Sequence, residues 1–354
     1  MKWLGALPGE LVRASLLVIA FASAVLGVLA WVSYLQPKLE FTANLAIPAL
    51  VAALLTGLVW LSQAEPRKPL STGPLALIAL IAWMALIAPD IAQRFLSRPK
   101  PVAGETLKVV QMNVWRDDWS VDRKLAFIKK EDPDVLLLEE VGVASTQLMA
   151  RLTPAYPYVT WCQIPGQPCA VVILSKRRPI AQGSSDGKLW APNFAWAKFV
   201  TPAGEYAVVA AHLNWPLPDG RQSQQVARLA EALKGLKSDA IVLGGDFNAS
   251  GWSFPLRRLD NDAGLTRLTH ALPTFPAHQL TSHKLRWPVA FLPIDHVFIG
   301  PRWTPTRVAR GPDVGSDHYP VVVELARPPV RAAAPKAAAK PGVADNEKAP
   351  SGTP

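Results

Sequence analysis

The chain has 354 residues, of which 50% are hydrophobic, and its formal net charge is +10. This length accommodates one large soluble domain and a smaller unit, but the apolar fraction is high for a purely soluble protein with 34 prolines. The charge is weak evidence for nucleic-acid binding, because residues 105–326 carry only +3 and the rest lies in the N-terminal region and the tail.

The first ninety residues contain three apolar stretches without a charged side chain, at 14–37, 41–64 and 69–89. Each reaches the ~20 residues that a helix needs to cross a bilayer, and aromatic residues lie near the ends of these stretches, as is common at membrane interfaces. A signal peptide would explain the first stretch but not all three. The sequence therefore predicts a membrane anchor over residues 1–96 with transmembrane helices at about 14–36, 41–63 and 70–89, and a lipid bilayer as partner.

The orientation of this anchor is not decided by charge, because four Lys or Arg residues fall on each side of the predicted membrane. Cys162 and Cys169, the only two cysteines, lie in the region that follows the anchor. A disulfide between them would require an oxidising compartment, whereas two buried free thiols would not. We expect an integral protein of a bacterial inner membrane with its soluble domain on the extracytoplasmic, periplasmic side.

After a Pro-containing linker at 97–104, the pattern changes to short runs rich in β-branched residues, which predict buried strands at 107–115, 134–140, 170–175, 206–213 and 240–247. Before the last run, Asp219 and Gln222 have the spacing of a capping box. An apolar stripe then predicts a helix that packs on a sheet, through Val226, Leu229, Ala230, Leu233 and Leu236. The Ala-, Pro- and Lys-rich residues 327–354 are predicted to be a disordered tail.

Carboxylates, amides and histidines recur where the predicted strands end, at Asn113, Glu140, His212, Asp246, Asn248, Asp295, Asp317 and His318. Strand ends meet at the rim of a sheet, so these side chains can share one site although about 200 residues separate them in sequence. Oxygen-rich ligand sets suit Mg²⁺ or Mn²⁺ and argue against a zinc site.

In their order and spacing the motifs MNVW, DVLLLEEV, AHLN, GGDFNA, TFP…PIDHVFI and GSDHYPVV resemble the endonuclease/exonuclease/phosphatase superfamily, over residues 105–326. This resemblance implies an α/β fold, a four-layer αββα sandwich of the DNase I-like type. It also implies a metal-dependent phosphoric ester hydrolase that uses Mg²⁺ or Mn²⁺ on a phosphate-ester substrate.

The resemblance also implies roles for the candidate metal ligands. Glu140 would be the principal ligand, with Glu139 in place of the glutamine that usually precedes it. Asn113 would contact the metal or the phosphate, and Asp317 would complete the network of metal and water.

The remaining candidates would act on the water and the phosphate. Asp246 would orient or deprotonate the attacking water, and Asn248 would hold the phosphate or the nucleophile. His318, oriented by Asp295, would stabilise the negative charge on the phosphorus oxygens, and His212 would bind the phosphate. Taken alone, Asp246 is also compatible with a turn and His212 with a packed core histidine.

Several other polar residues are assigned to packing or to the surface. Strand alternation predicts that Glu139 faces away from Glu140, and His296 is predicted to pack behind the site. His270, His278 and His283 are predicted to lie at the rim or in solvent.

Nucleic acid and a phospholipid or phosphorylated head group both remain open as substrates. Tryptophans beside predicted loops, at 115, 161, 190, 215, 252 and 287, suit base stacking, a lipid interface or plain packing. A non-catalytic membrane receptor or scaffold with the same fold is the main alternative function, and it predicts a broken catalytic set. A transporter is disfavoured because the three stretches contain no ionisable residue. The sequence points to no particular protein partner.

Overall fold

A computed structural model describes residues 7–63, 71–96, 102–166, 168–188, 190–277 and 289–328. Most of the predicted linker, the predicted tail from residue 329 on, and His278, His283 and Trp287 lie outside the described residues. The described chain comprises an N-terminal helical unit (residues 7–96) and a two-sheet domain (residues 102–328).

The helical unit contains three helices that are long and apolar enough to cross a membrane. The elements are α1 (Leu7–Val32), a 3-10 helix η1 (Pro37–Leu45), α2 (Ala46–Ser62) and α3 (Thr72–Leu96). The helices pack through small residues, with Ala20, Ala53 and Ala79 buried and Gly27 against Ala82, as helices in lipid commonly do. Large apolar side chains such as Leu55 and Ile81 point outward and are exposed.

These helices differ in detail from the predicted spans. The second span is divided between η1 and α2, and α3 continues past Pro89 to Leu96. Asp90 can lie in this helical extension because its side chain is paired with Arg267 of the two-sheet domain, at 2.8 Å.

The two-sheet domain contains twelve strands in the described residues: β1 (Glu105–Asn113), β2 (Val135–Glu139), β3 (Tyr158–Trp161), β4 (Val172–Ser175), β5 (Ala181–Ser184), β6 (Asn193–Thr201), β7 (Gly204–His212), β8 (Ile241–Asp246), β9 (Thr266–Arg267), β10 (Asp295–Ile299), β11 (Thr304–Arg310) and β12 (Val321–Arg327). The first sheet has the order β11-β12-β1-β2-β4-β3, and the second has the order β5-β6-β7-β8-β10-β9. All five predicted strands are therefore confirmed.

Helices cover the outer face of each sheet. Apolar side chains of α4 (Val121–Glu131) and α5 (Thr146–Leu152), joined to a short 3-10 helix η2 (Val143–Ser145), pack on the first sheet. Those of α6 (Arg221–Gly235) and α7 (Phe254–Asp262) pack on the second sheet. A third apolar cluster fills the space between the sheets. The predicted αββα sandwich is confirmed.

The predicted apolar stripe of α6 is buried throughout, but the predicted capping box is wrong. Gly220 is the N-cap residue, and the Asp219 carboxylate accepts a hydrogen bond from the backbone N–H of Arg221 instead. The side chain of Gln222 is buried and donates to the carbonyl oxygens of Asn214 and Phe247. Burial of the glutamine in the helix–sheet contact thus prevails over its local capping role.

Strand pairing brings distant candidate residues together at one end of the sandwich. The parallel pair β7–β8 places His212 beside Asp246, and β10, antiparallel to β8, places Asp295 on the other side of Asp246. In the facing sheet, the parallel pair β1–β2 places Asn113 beside Glu139. The last residues of β1, β2, β7 and β8 and the first residue of β10 therefore share one rim.

The structure also shows the state of the two cysteines and the location of His270. Cys162 and Cys169 are joined in a disulfide. His270 was predicted to lie at the rim or in solvent, and this is wrong, because its Nδ1 lies 2.8 Å from the Asp90 carboxylate in the contact with α3.

Candidate active site

Asp246, the last residue of β8, lies at the centre of the shared rim. Its Oδ2 accepts a hydrogen bond from the side-chain amide of Asn113 at 3.0 Å and lies 3.6 Å from Nε2 of His212 and 3.7 Å from Nε2 of His318. Its Oδ1 accepts from the backbone N–H of Asn248 at 2.8 Å. One carboxylate thus contacts three side chains that are far apart in the sequence and one backbone N–H.

Glu140 reaches the same centre because the chain turns sharply after β2. The strand ends at Glu139, and Glu140 has a φ of 56°, in the left-handed region that few non-glycine residues adopt. Its Oε1 accepts from the Asn113 amide at 3.1 Å and lies 4.0 Å from Nε2 of His212. This turn directs the Glu140 side chain to the rim, where it is half-buried.

Asn113 links the two carboxylates. Its NH₂ group donates to Glu140 and to Asp246, and its Oδ1 accepts from the backbone N–H of Trp115 at 2.9 Å. The nitrogen rather than the oxygen of this amide faces the carboxylates, so direct metal ligation by Asn113 stays a prediction.

A buried chain of polar groups runs from the rim into the space between the sheets. Nδ1 of His318 lies 2.8 Å from Oδ2 of Asp295, whose Oδ1 accepts from the Gln111 amide at 2.9 Å. The same amide donates to Glu139 at 2.9 Å. All four side chains are almost completely buried.

Glu139 and Gln111 are the part of this network that the sequence analysis missed. The Glu139 carboxylate is fully buried and is linked to Asp295 through the Gln111 amide, whereas Glu140, beyond the end of the strand, reaches the rim. A glutamine within the otherwise apolar inward face of β1 was the available signal, because a buried polar side chain needs a partner. Burial and the nearby carboxylates of Asp295 and Asp246 raise the pKa of Glu139 well above its ordinary value, which favours the neutral acid.

The surroundings of His318 and Asp295 shift the pKa values of the two side chains in opposite directions. Burial alone would lower the pKa of His318, but the carboxylates of Asp295 and Asp246 hold it well above its ordinary value. Burial alone would raise the pKa of Asp295, and the positive charge of His318 together with hydrogen bonds keeps it below its ordinary value. Near pH 7 this pair is therefore an imidazolium bound to a carboxylate.

The other carboxylates differ from one another. Burial raises the pKa of Asp246, which His318 offsets only in part. Burial and the neighbouring Glu140 and Asp246 raise the pKa of Asp317 to about 6. Burial opposes ionisation of Glu140, but the hydrogen bond from Asn113 and the charge of His212 hold its pKa below the ordinary value. Glu140 is thus the carboxylate of the rim that is readily ionised and also partly open to solvent.

Asn248 lies next to His212. Its φ is 50°, and its side-chain amide donates to the carbonyl oxygen of Leu213 at 2.8 Å and lies 3.3 Å from Nε2 of His212. His296, predicted to pack behind the site, is fully buried, with Nε2 2.9 Å from the carbonyl oxygen of Ala249. The structure therefore brings all eight candidate residues to one rim and places His296 behind it.

The donors at this rim fit a divalent cation. Glu140, His212 and Asp246 offer three ligand atoms within 4.8 Å of one another. Asp246, Asp295 and His318 form a second such group, but His318 and Asp295 already satisfy each other as an ion pair. Two of the three ligand atoms in the first group are carboxylate oxygens, and the Asp317 carboxylate interacts electrostatically with Glu140 and Asp246. Sets of ligands rich in oxygen suit Mg²⁺ or Mn²⁺.

The residues of the rim lie in a segment of the chain that matches a known protein family. The profile of the Endonuclease/Exonuclease/phosphatase family matches residues 111–318, which contain every candidate residue. Among curated proteins, none matches the chain.

Solved structures show the same fold at low sequence identity. An endonuclease/exonuclease/phosphatase from Bacteroides vulgatus has a TM-score of 0.53 and 17% identity, covering 63% of this chain and 99% of its own. A family protein from Bacteroides thetaiotaomicron has a TM-score of 0.50 and 17% identity, with coverage of 63% and 98%. The human Nocturnin catalytic domain, solved with a bound sulfate anion, has a TM-score of 0.50 and 16% identity, with coverage of 66% and 98%.

Proposed function

The chain belongs to the endonuclease/exonuclease/phosphatase family, and we propose that it is a membrane-anchored phosphodiesterase that depends on a divalent metal ion. The observation that supports this most directly is the convergence of Asn113, His212 and His318 on one oxygen of Asp246. A scaffold that kept the fold only for binding would have no need of these buried, electrostatically opposed groups.

The residues of the rim divide the hydrolysis among them. Glu140, with Asp317 and Asn113 beside it, would hold Mg²⁺ or Mn²⁺, which when bound neutralises phosphate charge and favours ionisation of water. Asp246 would accept a proton from the attacking water, and because burial raises its pKa it is a stronger base than an exposed aspartate.

Three side chains, His318, His212 and Asn248, would hold the phosphate. Protonated His318, kept in place by Asp295, would face the charge that develops on the phosphorus oxygens. His212 and Asn248 are adjacent and would donate hydrogen bonds to the other phosphate oxygens. Oδ2 of Asp246 lies 3.6 Å from Nε2 of His212 and 3.7 Å from Nε2 of His318, so a water bound to it would be next to the phosphate.

The helical unit would fix this chemistry at a membrane. Three helices long and apolar enough to span a bilayer precede the domain, and the Cys162–Cys169 disulfide supports an oxidising, extracytoplasmic location. For a bacterial inner membrane this side is the periplasm.

The position of the rim favours a phosphodiester at the membrane surface, such as a phospholipid head group, over long nucleic acid. Exposed Trp215 and Leu217 follow His212 in the chain, and Gly220 approaches Pro37 of the helical unit. An amphipathic indole beside an apolar side chain suits the head-group region of a bilayer. The small net charge of residues 105–326 provides little of the attraction that a duplex needs.

The test is hydrolysis by the purified full-length protein in detergent micelles. Bis(p-nitrophenyl) phosphate and p-nitrophenyl phosphate are compared with Mg²⁺, with Mn²⁺ and with EDTA. We expect metal-dependent cleavage with a preference for the diester, loss of it in Asp246→Asn, and normal turnover in Asp262→Asn, which alters an exposed carboxylate of α7.

The same preparation tests whether lipid or nucleic acid is the better substrate, and whether the protein is an enzyme or only a binding scaffold. Phosphatidylcholine and sphingomyelin in mixed micelles are compared with single-stranded and duplex DNA. Faster cleavage of DNA than of both lipids would overturn the preference for a membrane substrate. A folded protein that binds Mn²⁺ in calorimetry and cleaves none of these esters would favour a binding function.

A further inference from the structure

A polar residue of the helical unit contacts the loop that follows Asp246. Asn44, near the end of η1, is only 8% exposed. Its side-chain NH₂ group donates to the carbonyl oxygen of Asn248 at 3.0 Å, and its Oδ1 accepts from the backbone N–H of Ser250 at 2.9 Å. One amide thus satisfies both a donor and an acceptor of the loop backbone.

The backbone of this loop is held from two sides. Asn248 has a left-handed φ of 50°, which asparagine adopts more readily than other non-glycine residues. From the domain interior, Nε2 of His296 contacts the carbonyl oxygen of Ala249 at 2.9 Å. Asn44 and His296 therefore hold successive backbone groups of residues 248–250 between them.

A neighbouring contact keeps Asn44 in register with the loop. The indole N–H of Trp252 donates to the carbonyl oxygen of Ala43 at 2.7 Å. The ring of Trp252 is 2% exposed and packs in an apolar cluster with Trp83 and Leu86 of α3. A side chain from just beyond the loop is thus buried in the helical unit, which resists sliding of one part past the other.

From these contacts we propose that Asn44 is a positioning residue for the loop that follows Asp246 and carries Asn248, so that the helical unit forms part of the active site. This inference rests on the proposed function. Asn44 touches no reacting atom in this arrangement. It acts through the backbone of Asn248, whose side chain lies beside His212 and would hold the phosphate.

The experiment measures two properties of the full-length protein in micelles. In Asn44→Ala we expect kcat for bis(p-nitrophenyl) phosphate to fall about 10- to 100-fold, since small misplacements of reacting groups have effects of this size. Hydrogen–deuterium exchange should increase in residues 246–252 and remain unchanged in β12. Asn44→Asp keeps the acceptor for Ser250 but places a carboxylate oxygen against the carbonyl oxygen of Asn248, so it should be impaired at least as much as Asn44→Ala.

The matched control is Arg94→Ala in α3. Arg94 also connects the helical unit to the domain, through the carbonyl oxygens of His270 and Ala271, but it does not reach the loop. We expect near wild-type kcat and unchanged exchange in residues 246–252.

The outcomes distinguish this inference from the proposed function. An active wild type with unchanged kcat and exchange in Asn44→Ala overturns the positioning role and leaves the enzyme assignment intact. A wild type without turnover overturns the proposed function, while faster exchange confined to the loop would still support positioning by Asn44. Faster exchange throughout the domain would show a general loss of stability and overturn the inference.

Discussion

Nδ1 of His318 lies 2.8 Å from Oδ2 of Asp295, and both side chains are almost completely buried. The carboxylate is itself held by the Gln111 amide, so the imidazolium has a fixed partner on the side away from the rim. Its Nε2 is left to face Asp246 and the space where a phosphate would bind. The imidazolium is thus held in a fixed position, where in the proposed mechanism it would stabilise the charge that develops on the phosphorus oxygens.

The first prediction concerns this pair. In Asp295→Asn the negative charge that raises the pKa of His318 is lost, so the histidine should lose its proton at a lower pH. We expect kcat to fall by about 10²- to 10³-fold near pH 7 and the alkaline limb of the pH–rate profile to move to lower pH. The profile is compared with that of Asp122→Asn, whose carboxylate is exposed on α4. An unchanged alkaline limb would contradict the assigned role of His318.

The second prediction concerns the metal and compares Glu140 with its neighbour Glu139. Glu140→Gln removes the readily ionised carboxylate of the rim, so the Mg²⁺ concentration for half-maximal activity should rise at least ~10-fold, the size of effect typical of altered metal sites. Glu139→Gln serves as the matched control because it makes the same chemical change one residue earlier. Titration of activity against Mg²⁺ measures both variants. Equal shifts in the two variants would refute Glu140 as the principal ligand.

The third prediction concerns the stability of Glu139→Gln. Because the pKa of Glu139 is raised by burial, the folded state holds its proton at a pH where the unfolded chain has released it. The contribution of this group to stability is complete below its ordinary pKa of 4.5 and declines as pH rises through the raised value. Glutamine is always neutral, and its side-chain oxygen can still accept a hydrogen bond from the Gln111 amide.

We therefore expect Glu139→Gln to have near wild-type turnover and a higher midpoint of thermal unfolding than the wild type at pH 8, with the difference shrinking towards pH 4.5. Tryptophan fluorescence during heating reports the midpoint in micelles. A variant less stable than the wild type at pH 8 would show that the buried carboxyl group has a partner that glutamine cannot satisfy.

The strands and α6 could be predicted from sequence because strand runs and the apolar stripe of α6 record burial directly, whereas the sandwich itself was implied only by the resemblance of the motifs to the family. The candidate residues could be predicted because they stand at strand ends in a recognisable order. The direction of a side chain just beyond a strand could not be predicted. The Glu140 side chain is directed by its left-handed φ, which depends on the turn that follows the strand. Contacts between Asn44 and residue 248, or between Asp90 and Arg267, join positions far apart in sequence and leave no local pattern in either segment.

The last prediction concerns the acid stability of the loop behind the site. Burial lowers the pKa of His296 to about 3. As pH falls below the ordinary value of 6.5, the unfolded chain takes up a proton at this residue while the folded state does not, so the folded state loses stability. The loss should reach a few kcal/mol as pH approaches 3. His296→Gln retains a donor for Ala249 and does not titrate, so its midpoint of thermal unfolding should decline less than that of the wild type between pH 7 and pH 4.5. Parallel declines in the two proteins would mean that His296 accepts a proton in the folded state, and its hydrogen bond to Ala249 would then persist in both forms.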